Sequence, residues 1–76
     1  MISHEALRNV LRSLGYAFKR QADRVEIYKK RGSTKRVELR RIDMHDEDAA
    51  KNILRQAGMP SDEIDKFIAE ARSLMN

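Results

Sequence analysis

The side chains able to do chemistry in this 76-residue sequence are two histidines, His4 and His45, and an unusual concentration of lysine and arginine between residues 19 and 41. His45 lies between Asp43 and Asp46, neighbours that could orient an imidazole and raise its pKa, which makes it the one candidate catalytic residue. His4 sits near the start of a helical segment. For both, a surface or helix-capping role is the competing and commoner reading. Two histidines and scattered carboxylates have no recognised metal-ligand spacing, so neither a metal nor another cofactor is expected. With no cysteine, thiolate chemistry, disulfides and Cys-ligated zinc are excluded.

The cations are the stronger signal. Lys19, Arg24, Lys29, Lys30, Arg31, Lys35, Arg36, Arg40 and Arg41 fall within one short stretch, a denser set than solubility requires. Residues 1–44 carry twelve Lys and Arg against five acids (+7), and residues 45–76 carry four against seven (−3), for the net +4 of the whole. A basic part joined to an acidic one suggests one face for polyanions and another with a different task. Tyr28, placed among the cations, could stack an unpaired base for about 1–3 kcal/mol. The plainer alternative is cross-strand packing for Tyr28, with Glu26 and Glu38 neutralising part of the patch.

The elements that must position these residues follow from the apolar period. Ser3 is a plausible N-cap, and Leu7, Val10, Leu11 and Leu14 repeat at helical spacing until Gly15, predicting a helix over residues 3–14. The period then changes to two. Tyr16 and Phe18, Val25 and Ile27, and Val37 and Leu39 mark three strands, joined near Gln21-Ala22-Asp23 and through Arg31-Gly32-Ser33-Thr34. Alternation assigns those six apolar residues to a helix-covered face. It assigns Lys19, Arg24, Glu26, Tyr28, Lys30, Arg36, Glu38 and Arg40 to the other.

A second helix is expected from the acidic start Asp46-Glu47-Asp48 through Ala57 to Gly58. A third begins at Ser61, with the stripe Ile64, Phe67, Ile68, Ala71, Leu74 and Met75. The order α-β-β-β-α-α gives one α+β domain over residues 1–76, a three-stranded antiparallel sheet with helices on one face. A chain this short buries only about 60% of its unfolded surface, so a deep cleft between domains is ruled out. No stretch approaches the ~20 apolar residues of a membrane span, and Met1-Ile2-Ser3-His4-Glu5 lacks the features of a signal peptide, so a soluble cytoplasmic protein is expected.

Leu14-Gly15-Tyr16, Phe18-Lys19-Arg20-Gln21, Ile27-Tyr28 and above all Ile53-Leu54-Arg55-Gln56-Ala57-Gly58-Met59 resemble the HicA (YcfA-like) toxins of bacterial toxin-antitoxin pairs, over roughly residues 5–68. The resemblance implies a fold like that of double-stranded-RNA-binding domains, RNA as ligand, and an antitoxin that covers the RNA-binding surface. It also implies an endoribonuclease, but here the sequence departs from the family. The turn and strand start that usually read Gly-Ser-His, with the catalytic histidine last, read Asp23-Arg24-Val25. Val25 cannot transfer a proton, a loss of about 10²- to 10⁴-fold in such a reaction.

Three functions therefore compete. The first is RNA or other nucleic-acid binding through Lys19, Arg24, Tyr28, Lys30, Arg31, Lys35, Arg36 and Arg40, without efficient cleavage. The second is an interaction module for an acidic, antitoxin-like protein, with the long third helix offering a homodimer contact. The third is an active mRNA interferase that uses His45.

Overall fold

The structure, a computed structural model, describes the backbone of residues 1–75 and the side chains through Arg72. Its elements are β1 (Ile2–Ser3), α1 (His4–Ser13), β2 (Tyr16–Ala22), β3 (Val25–Lys30), β4 (Arg36–Arg40), β5 (Met44–His45), α2 (Glu47–Gln56) and α3 (Ser61–Met75). The expected α+β order holds, with two short strands added. Ser3 caps α1, its Oγ accepting from the Ala6 amide at 3.1 Å. Gly15, at φ +93°, turns the chain out of α1 into β2.

β2, β3 and β4 form an antiparallel meander with β3 in the centre. The first link is only Asp23-Arg24, and Asp23 takes the positive φ (56°) that Asp tolerates better than most residues. β1 pairs with β5, Ile2 opposite His45 and Ser3 opposite Met44, and so ties the chain start to the entry of α2.

The core joins one face of the meander to the helices. Leu7 and Leu11 of α1, Ala50 and Leu54 of α2, and Ile64 and Ile68 of α3 close over Tyr16, Tyr28, Val37 and Leu39, with Ile2 in the same cluster. The Tyr16 hydroxyl donates to the Ala57 carbonyl at 3.2 Å, fixing β2 to the end of α2. Arg72 of α3 makes a two-pronged ion pair with Glu47 at the start of α2. Ile64 and Ile68 pack into the core, whereas Leu74 and Met75, expected to extend the stripe, lie outside the residues whose side chains are described. Among the described residues no helix is long and apolar enough to cross a membrane.

Two expectations about the sheet need correction. Phe18 pairs with Tyr28, but Arg20 pairs with Ile27, so Lys19 is the extra residue of a β-bulge. The inward positions of β3 are consequently Glu26 and Tyr28, opposite Leu39 and Val37, while Val25 and Ile27 point outward. Phe18 shares the helix-facing side, yet on the edge strand it stays 51% exposed. Ile27, though outward, is only 7% exposed, because the long side chains of its direct partners Arg20 and Glu38 can shield it.

Candidate nucleic-acid interface

The outward face of the meander follows from this register. Its three cross-strand rows are Ala17-Lys29-Arg36, Arg20-Ile27-Glu38 and Ala22-Val25-Arg40. Lys29 and Arg36 are direct neighbours across strands, and Glu38 is the one carboxylate in the rows. Arg20, Lys29, Arg36 and Arg40 are all exposed.

The cations continue beyond the strands. At one end Arg24, Arg40 and Arg41, with Asp23 and Ile42, line a cavity of about 380 Å³, and the Arg41 amide donates to the Arg24 carbonyl at 2.9 Å. At the other end Arg31 and Lys35 are exposed in the loop after β3, held by the Lys30 amide donating to the Lys35 carbonyl. Among the described residues only His4–Glu26 and Arg72–Glu47 form ion pairs, so none of these cations is tied to a carboxylate. Like charges gathered on one face repel one another, and a polyanion would relieve that repulsion.

Of the residues expected on this surface, Arg36 and Arg40 lie on the outward face, and Arg24, Arg31 and Lys35 lie in the loops at its ends. Lys19 is exposed at the bulge of β2. Tyr28 and Lys30 are not on this face. Tyr28 is 4% exposed and belongs to the core, so its ring is not an open stacking platform on the outward face. Lys30 is half-buried on the helix-facing side, its Nζ 6.0 Å from the centre of the Tyr16 ring. Both reversals follow from the one-residue phase of β3. Arg20 joins the face without having been expected there; only recognition of the bulge would have placed it outward.

The histidines, too, stand elsewhere than expected. His45 is 2% exposed, not at the surface, and its Nε2 is 3.0 Å from Nδ1 of His4. His4 Nε2 donates to Glu26 Oε1 at 2.9 Å, and the Tyr28 hydroxyl donates to the same oxygen at 2.7 Å. A polar chain His45-His4-Glu26-Tyr28 thus runs along the inner side of the sheet, with the two imidazoles stacked at 5.3 Å and 17°.

Burial lowers the His45 pKa, helped by the charges of His4 and Arg40 and opposed by Glu26, the reverse of the expected rise. Burial pushes the Glu26 carboxyl up, but hydrogen bonds from Tyr28 and His4, with the charges of His4 and Arg8, outweigh it and hold the group low. Burial, then the Glu26 carboxylate, raises the Tyr28 phenol to about 12, against the opposing pull of Arg8.

Both ring nitrogens of His4 are engaged, and His45 is buried with its Nε2 bonded to His4. The cluster ties α1, β3 and β5 together and keeps both imidazoles largely covered. It could have been suspected only by asking what partner an inward Glu26 requires.

Compared with known proteins, the chain matches no family model, no curated protein and no solved structure.

Proposed function

We propose that the chain is a cytoplasmic RNA-binding domain of the HicA-like kind, which holds RNA through the outward face of the meander and its end loops without efficient cleavage. The observation that carries this reading is the set of exposed, unpaired cations Arg20, Lys29, Arg36 and Arg40 on one sheet face, continued by Arg24, Arg41, Arg31 and Lys35. A set of free cations on one face suits a phosphate backbone, which supplies affinity without reading sequence. An antitoxin-like acidic partner would meet the same cations.

Binding without cleavage is supported by the fate of the histidines. Val25, the position that the resemblance matches to the family's histidine, stands on this face beside Ala22 and Arg40. The chain's two histidines are both in the internal cluster. The rows of the face thus have charge but no histidine.

The test is fluorescence anisotropy with a labelled RNA and a duplex DNA of equal length, for the native chain and the Arg36→Ala/Arg40→Ala variant. Weaker binding by the variant to both ligands, with a salt slope smaller by about one for each phosphate no longer neutralised, supports the proposal. Equal binding by the two proteins contradicts it.

A further inference from the structure

On the other side of the sheet, at the β2 edge, a cavity of about 360 Å³ opens between the end of α1 and the hairpin. Its wall includes Phe18 and Tyr28, which meet edge to face with ring centroids 5.8 Å apart at 77°. Tyr28 is buried and held by Glu26 through its hydroxyl, whereas Phe18 is 51% exposed. A rigid aromatic thus supports an open one. Burying a phenyl ring is favourable in proportion to the apolar area it removes from water, and the fold leaves half of this one uncovered.

The rim is charged with one sign only. Arg12 of α1 and Arg31 after β3 line the cavity, and among the described residues no carboxylate does. Lys30 adds a third cation beside it, its stem near Gly15 and its ammonium 6.0 Å from the Tyr16 ring. An apolar peptide would cover Phe18 but leave these cations unanswered. An aromatic platform edged by guanidinium groups complements a planar base attached to a phosphate.

We propose that this cavity takes the base of an unpaired nucleotide, stacked on Phe18, with its flanking phosphates on Arg12 and Arg31. The inference deepens the RNA reading and rests on it for the choice of ligand. Arg31 stands at both the cavity and the end of the outward face, but Phe18 is on the helix-facing side while Arg36 and Arg40 point outward, so substitutions at Phe18 and at Arg36 and Arg40 address the two separately.

Two measurements test it. In an amide chemical-shift titration with uridine 5′-monophosphate, the signals of Gly15, Phe18 and Tyr28 shift saturably in the native chain, and those of Gly15 and Tyr28 stay fixed in Phe18→Ala. No shift at these residues in the native chain overturns the proposal, whether or not longer RNA binds the outward face. In anisotropy, Phe18→Ala weakens a 12-mer oligouridylate about tenfold, the typical effect of removing one stacking platform, and leaves an abasic 12-mer unchanged. Phe18→Tyr restores the native value. Equal weakening of the abasic strand overturns the base site, because the change then acts on phosphate binding or folding. Oligothymidylate in parallel distinguishes the source: equal weakening assigns a base-and-phosphate site blind to the sugar, and a larger effect on oligouridylate assigns the same site to RNA. Abolished RNA binding in Arg36→Ala/Arg40→Ala with the mononucleotide shifts retained separates the two faces and supports the cavity.

Discussion

His4 Nδ1 and His45 Nε2 share a hydrogen bond of 3.0 Å across 41 residues of sequence, and the carboxylate of Glu26 fixes how its proton is arranged. Glu26 can only accept when ionised, so His4 Nε2 carries a hydrogen. With His4 neutral, His45 donates to Nδ1; with His4 protonated, the direction reverses. The pair tolerates one added proton, and a second sets two donors against each other.

Acid should therefore loosen the fold in two stages. The native pKa of His45 lies below the ordinary 6.5, so below that pH the unfolded chain takes up a proton that the native chain does not. Stability is full above 6.5 and falls as the pH drops toward the native pKa. Glu26 is also held below its ordinary 4.5, which adds a further loss beneath that value. Urea unfolding at about pH 7.5 and 5.5 should show the first stage, and His45→Asn should flatten it. Equal stability of the native chain at both values contradicts this account of the pair.

Glu26→Ala should cost about 2 kcal/mol or more, because it leaves the Tyr28 hydroxyl and His4 Nε2 without their acceptor in a confined site. Tyr28→Phe, which removes one donor and keeps the ring, should cost about 1 kcal/mol. Chemical denaturation at neutral pH measures both, and a smaller effect for Glu26→Ala than for Tyr28→Phe runs against the network.

Leu54→Ala should be the costlier kind of change, about 2–5 kcal/mol, since Leu54 is fully buried where α2 meets the core. Tyr16→Phe loses only the hydrogen bond to the Ala57 carbonyl, about 1 kcal/mol. A thermal melt ranks the two directly.

His45→Ala should leave any cleavage of unstructured RNA by the purified protein unchanged, because His45 is only 2% exposed and its Nε2 is bonded to His4. Gel analysis of the products checks this. Abolished cleavage in that variant, with its fold intact by circular dichroism, would restore His45 as catalytic.

The helices, the three main strands and the loop after β3 are legible in the sequence because apolar spacing and glycine placement act locally. The phase of β3 is not. Val25 and Ile27 look like the buried pair, but Glu26 and Tyr28 turn inward because His4, 22 residues before Glu26, satisfies the carboxylate. A periodicity rule has no access to a partner that distant. The Lys19 bulge and the two-residue strands β1 and β5 escape it for the same reason, being defined by pairing and not by composition. Of the cationic site, the charge and its place in the chain are legible; which cations share a face depends on the register.

The most direct measurement is the salt dependence of RNA affinity. If the outward face engages about four phosphates, the affinity of the native chain for a 12-mer RNA should fall roughly 100-fold between about 50 and 200 mM salt. A flat response across that range, or no binding at the lower salt, would contradict a phosphate-binding role for the sheet.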